Sequence, residues 1–96
     1  MMRVIRKEPG KRARWSVVQN DLKALQEAVG GYIETVTLAS DAVLILDEEG
    51  RLNGKEYNMT LCGFDIVGTF LVAGVKEDEF TDCPWAAMRV LFGVDA

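Results

Sequence analysis

The sequence predicts an α+β domain: a mixed sheet of four to five strands in β-grasp-like order, one helix packed on it, and a C-terminal helix. Three observations point there. Residues 1–34 read as a hairpin, a short amphipathic helix, a glycine stop and the start of a strand. Two later runs, at residues 43–46 and 66–75, are apolar on both faces, as strands in the middle of a covered sheet are. The second run comes last among the strands, and a central last strand beside the first is the β-grasp order, in which those two run parallel.

Residues 2–7 make a first strand around Val4 and Ile5. Glu8-Pro9-Gly10-Lys11 is turn chemistry, since proline presets one turn dihedral and glycine tolerates another. Over residues 12–18 Ala13, Trp15 and Val17 alternate with Arg12, Arg14 and Ser16, the pattern of a half-buried strand with a charged outer face. Asn20 is the expected N-cap, its amide oxygen accepting from the open N–H groups of the first turn. Asp21 adds negative charge at the positive end of the helix dipole. Leu22, Leu25, Ala28 and Val29 form the apolar stripe, with Lys23, Gln26 and Glu27 opposite. Gly30 suits the left-handed stop and Gly31 redirects the chain. Such a helix is marginal alone in water, so its stripe needs a sheet. Bare glycine amides can also cradle a phosphate, but these two follow the helix and present carbonyls. Neither a dinucleotide nor a P-loop fingerprint occurs.

Residues 32–38, β-branched and aromatic, read as the third strand, and Ser40-Asp41 as a turn. Residues 43–46 are a strand covered on both faces. Asp47-Glu48-Glu49-Gly50 turns the chain, Arg51-Leu52 pairs back briefly, and Asn53-Gly54 is a second tight turn. Residues 55–63 read as a loop or a single helical turn. Residues 66–75 are taken as one strand, with Ile66, Phe70 and Val72 on one face and Val67, Leu71 and Ala73 on the other. One cover is the first helix. The other is a C-terminal helix capped by Thr81 or Asp82, with Pro84 in its first turn, Trp85, Met88, Leu91 and Phe92 on one face, and Gly93 as its stop.

The 96 residues suit one domain with a single core, residues 1–96. The composition, 49% hydrophobic and 27% charged, is that of a folded globular chain. The longest apolar run is too short for a bilayer, and no signal-peptide core follows the basic N-terminus, so a cytoplasmic protein with no membrane partner is expected. The chain has no histidine, which removes His-activated nucleophiles, His-containing zinc sites and the usual neutral-pH base. Cys62 and Cys83 are isolated and suggest neither a disulfide framework nor a metal site. A carboxylate pair stays open, but no spacing singles one out. No enzyme, cofactor or metal is expected.

Charge is unevenly spread. Residues 1–14 hold Arg3, Arg6, Lys7, Lys11, Arg12 and Arg14 against Glu8 alone, a net of +5, while the remainder carries −9. These six are the candidate nucleic-acid contacts. The alternatives are a solvated strand face guarded against edge pairing, or a basic hairpin that meets the acidic clusters of another molecule or of its own. Phe80, Trp85, Met88 and Phe92 are candidate interface residues, since Trp is enriched at interface hot spots, and a homodimer through the C-terminal helix is one reading.

The stretches RVIRKEPGKRARW, LQEAVGGYIETV, LILDEEGRLNGKEYN and DIVGTFLVAG resemble a family of small proteins known only as a domain of unknown function. Its members come from bacteria, phages, plasmids and conjugative elements, commonly of gut Gram-positives. The resemblance covers residues 3–74 and rests mainly on the blocks at 29–34 and 47–50; residues 80–96 lie outside it. Asn58 stands where the family pattern has an asparagine. The resemblance implies no catalytic residues. It implies an accessory protein that acts by binding, for instance by blocking a host defence protein or sequestering a small signal. It makes Gly30, Gly31, Tyr32, Glu34, Asp47, Glu48 and Asn58 candidate ligand positions, with turn and capping roles as the alternative for most.

The leading expectation is therefore a non-enzymatic phage or mobile-element accessory protein acting by protein–protein interaction, self-association included. Second comes binding of a small signal or nucleotide, with Tyr32 as a stacking platform and Glu34 or Asn58 as polar contacts. Nucleic-acid binding through the basic hairpin ranks third.

Overall fold

The computed structural model describes residues 1–94, and the α+β class holds. The strands are β1 (Met2–Lys7), β2 (Arg14–Val18), β3 (Ile33–Ala39), β4 (Ala42–Asp47), β5 (Tyr57–Leu61), β6 (Phe64–Val67), β7 (Phe70–Lys76) and β8 (Glu79–Thr81). The helices are α1 (Leu22–Val29), between β2 and β3, and α2 (Ala86–Phe92), after β8. The main sheet runs β2-β1-β7-β4-β3, with β8 extending it beside β7, and β5 and β6 form a separate hairpin.

Every strand pairing is antiparallel, so the expected mixed sheet with β1 parallel to the last central strand is corrected. The cause lies in residues 48–69. They form no crossover but an out-and-back excursion, the β5–β6 hairpin, which returns the chain to the end of the sheet it left. Strand β7 must then descend antiparallel to β4, and β1, on its other side, runs antiparallel to it as well. The stretch at 55–63 is thus largely strand, and Arg51-Leu52 lies in turns instead of pairing back. The single strand expected at 66–75 is broken by Gly68, whose φ of 73° is open to glycine at little cost. Ile66 and Phe70 nevertheless share one core.

Alternation along the central strands sorts the apolar residues into two cores. Val4, Val43, Ile45, Leu71 and Ala73 face α1, which contributes Leu25 and Val29. Ile5, Leu44, Leu46, Phe70 and Val72 face the opposite way, beneath Leu61 and Ile66 of the hairpin and Ala87 and Met88 of α2. Burying each such side chain contributes about 1.5–3 kcal/mol, so neither cover can be removed cheaply. Leu22, expected in the α1 stripe, is exposed because the helix meets the sheet through Leu25 and Val29. Val17 is also exposed, and Val18, one position on, is buried under α1.

The caps differ in detail from the expectation. Asp21, not Asn20, caps α1: its Oδ1 accepts from Ala24 N–H at 2.8 Å. Asn20 instead donates from its side chain to Phe80 O, tying the helix entry to β8. Gly30 is left-handed, at φ 77°, and its N–H returns to Gln26 O, as a helix stop requires. Neither Thr81 nor Asp82 caps α2, which starts after Trp85 without a side-chain cap and stops at left-handed Gly93. Asp82 accepts from Arg3 N–H at 2.7 Å, and Cys83 N–H donates to Arg3 O at 2.8 Å. These bonds tether the α2 approach to β1.

Candidate functional site

The family-like blocks converge at one corner, where α1 ends, β3 begins and β4 stops. Asp47 closes β4 with its side chain turned toward the α1 side of the sheet. It is the one charged residue buried among the described residues, at 3% exposure. Lys55, from the loop before β5, reaches it with an Nζ–Oδ2 distance of 2.6 Å. The same ammonium donates to Val29 O at 2.8 Å and Gly30 O at 3.0 Å. A cation thus sits on the carbonyl-rich end of α1, where the dipole favours it. Asp47 Oδ1 accepts Glu49 N–H at 2.9 Å, which closes the following turn. Burial pushes the Asp47 carboxyl up, but the Lys55 ammonium, the Glu49 N–H and the Asn53 side chain outweigh it and hold the group below the usual aspartate range.

Two glycines make the room. A Cβ on Gly31 would lie 2.5 Å from Asp47 Oδ1, and one on Gly68 would lie 2.8 Å from Lys55 Cδ. Gly31 is therefore bare because a carboxylate packs on it. Asn58 belongs to the same construction: it donates to Lys7 O at 2.9 Å and Gly68 O at 2.7 Å, and accepts from Lys7 Nζ at 2.9 Å. It fastens the β5–β6 hairpin to β1 and to the Gly68 turn.

The seven candidate ligand positions therefore separate. Gly30, Gly31 and Asp47 are joined through Lys55, and Asn58 is fully engaged in holding the hairpin. Tyr32 stands exposed at the rim of an open recess of about 290 Å³, lined also by Gln26, Gly31, Asp47, Glu49 and Asn53. Glu34 and Glu48 line a different recess, of about 330 Å³, with Arg51, Leu52, Phe64 and Asp65. Lys55 is the residue that sequence reasoning missed. A signal existed: a carboxylate ending a strand apolar on both faces needs a cation, and Lys55 follows the next two tight turns.

The basic residues do not form one surface. Arg3 and Lys7 lie on the α2 side of the sheet and Arg6 and Arg14 on the α1 side, by strand alternation. Arg3 is committed, with its guanidinium 3.6 Å from the Trp85 ring centroid and donating to Cys83 O at 2.7 Å. Lys7 is held by Asn58. Lys11 and Arg14 both pair with Glu8, at 3.1 and 2.8 Å, and hold its carboxyl below the usual glutamate range through hydrogen bonds first and charge second. Arg12 is exposed at the hairpin.

The interface candidates are mostly core. Met88 is 1% exposed, Phe92 stacks on Phe70 at 6.3 Å, and Phe80 packs half-buried against the α1-side core. Trp85 is 63% exposed and meets Trp15 edge-on at 5.0 Å. Beside it the outer face of α2 shows Val90. A shallow groove of about 280 Å³ runs from that face to the end of β3, lined by Leu38, Ala39, Cys62, Pro84, Val90 and Leu91. Strand β3 is itself an edge, paired only with β4.

Among the described residues no three His, Cys, Asp or Glu side chains converge as a metal site, and no helix is long and apolar enough to cross a membrane. The chain belongs to the domain of unknown function family DUF3846, whose model matches residues 2–92. That match runs through α2, beyond the stretch that carries the sequence resemblance. No curated protein and no solved structure matches the chain.

Proposed function

We propose that this protein is a non-enzymatic interaction module that binds another protein along its β3 edge and the adjoining outer face of α2. The observation that carries this reading is where unspent binding capacity lies. At the Asp47 corner the Lys55 ammonium neutralises the carboxylate, and the Asn58 amide is spent on Lys7 and Gly68, which leaves no activated acid or base there. Cys83 is buried and its thiol is pushed up to about 11, by burial first, away from nucleophilic thiolate. The basic hairpin is divided between two faces and partly neutralised by Glu8. By contrast, β3 offers a row of unpaired backbone groups next to an apolar groove, the geometry of β-strand addition. The resemblance to proteins of phages and mobile elements supports an accessory role inside a bacterial cytoplasm.

A photo-crosslinking side chain at Thr37 or Val90 tests this. A protein adduct at both positions, and none from Arg12, is the expected result. Adducts only at Arg12, or to nucleic acid, would sink it. The second reading is a small ligand stacked on Tyr32, favoured by the recess that Gln26, Glu49 and Asn53 line. A co-purifying small molecule whose retention falls in Tyr32→Ala would favour that reading over protein binding.

A further inference from the structure

We infer that the occupant of the β3 edge is a second copy of this chain, the two β3 strands pairing antiparallel across a two-fold axis to join both main sheets. This rests on the protein-binding reading above and names its partner. Natural sheets guard their edges with lysine, proline, short strands or covering elements. The β2 edge follows that rule: it is five residues long, and Arg14 stands on it, ion-paired to Glu8. Strand β3 is seven residues long, Ile-Glu-Thr-Val-Thr-Leu-Ala, with no lysine, arginine or proline. Its only irregularity is a bulge after Thr37, which leaves residues 33–37 as a regular edge.

That regular edge is self-complementary. Antiparallel pairing centred on Thr35 sets Ile33 against Thr37 of the other copy, Glu34 against Val36, and Thr35 against Thr35. The one charge on the strand thereby faces an apolar residue and never its own like, whereas like charges directly opposite would destabilise the pair. Strand β3 is hydrogen-bonded to β4 alone, so its outer edge is open, and Thr35 and Thr37 are exposed beside it. On the other side of the strand, Val36 and Leu38 are half-buried against the α2-side core, and Leu38 continues into the groove beneath Val90. A two-fold at Thr35 sets the two Val36 side chains diagonally across the axis, within reach of each other, so an apolar contact accompanies the new backbone bonds. A two-fold interface uses the same patch twice, and this strand meets that condition.

Sedimentation velocity across a wide concentration range tests the proposal, with Thr35→Lys and Thr35→Glu as paired variants. The wild type is expected to move reversibly from 10.6 kDa to twice that mass as concentration rises. Each variant alone sets like charges against each other at the axis and stays monomeric, while an equimolar mixture of the two associates again. Matching urea midpoints for the variants and the wild type, at a dilution where the wild type is monomeric, show that the fold is kept. A wild type that stays monomeric throughout overturns the proposal. So does a dimer that persists in both single variants, or one that is lost in Trp85→Ala instead. Crosslinks from Thr37 to a different protein, with a monomeric wild type, would overturn self-pairing while leaving the protein-binding reading intact.

Discussion

Replacing Lys55 by methionine isolates the contribution of the buried corner. The Asp47 side chain is only 1% exposed, so losing its cation leaves a carboxylate held by the Glu49 N–H and Asn53. Removing one partner of a fully buried ion pair costs about 3–5 kcal/mol. The Lys55 side chain keeps 22% of its surface in water, which favours the lower end. The lost contact with Val29 O and Gly30 O adds up to about 1 kcal/mol at the helix end. Lys55→Met should therefore cost about 3 kcal/mol in urea unfolding followed by Trp15 and Trp85 fluorescence, a large share of a typical domain's ~5–15 kcal/mol. The pH dependence should differ as well. In the wild type the folded Asp47 carboxyl is held below its unfolded value, so its stabilisation is present above the unfolded value and disappears as pH falls through the folded one. Without Lys55 its hydrogen bond and charge no longer oppose burial, so the folded carboxyl rises and protonation costs the variant less. The gap between the two proteins should then narrow as pH falls. Asp47→Asn should cost less than Lys55→Met, because the ammonium keeps two carbonyls and some water. A cost under about 1 kcal/mol, the range of an exposed pair, or a gap that stays constant in acid would refute the reasoning.

Asn58→Ala should cost about 2 kcal/mol, because Lys7 O and Gly68 O lose their donor, and hydrogen exchange should rise across the β5–β6 hairpin before it rises in β7. Alkylation of the native protein should modify exposed Cys62 and spare buried Cys83 until the chain unfolds. Burial raises the Cys83 thiol from 9.0 to about 11, so the unfolded state loses its proton first, and stability should fall between those pH values by about 2 kcal/mol. A Cys83→Ala variant should lack that alkaline fall, and an unchanged profile would contradict the assignment.

Much of this was legible from local pattern. The hairpin turn at Pro9-Gly10, the left-handed stop at Gly30 and the doubly apolar strand at 43–46 depend on neighbours within a few residues, and each stands where the sequence put it. The helix cap slipped by one residue because Asn20 and Asp21 both suit the position; the bond from Asn20 to Phe80, sixty residues away, gives it other work. Residues 55–63 resisted reading because β5 pairs only with β6 and presents mixed polarity. The candidate positions at 30–34 and 47–48 were found as a group through family resemblance, but their division between two recesses follows from strand alternation in a register that the sequence does not state.

Composition and periodicity by themselves determined the α+β class, two layers of cover on a central sheet, and the absence of histidine chemistry. These are properties of short windows: residue type, spacing and capping chemistry act over one turn or one strand. Tertiary structure alone decided that the sheet is wholly antiparallel, that Asn58 fastens the β5–β6 hairpin to β1, and that β3 is left as an edge paired only with β4. Each of these depends on which distant segments meet. That choice is made by the balance of loop closure and shared burial over the whole chain, which no single window of the sequence contains.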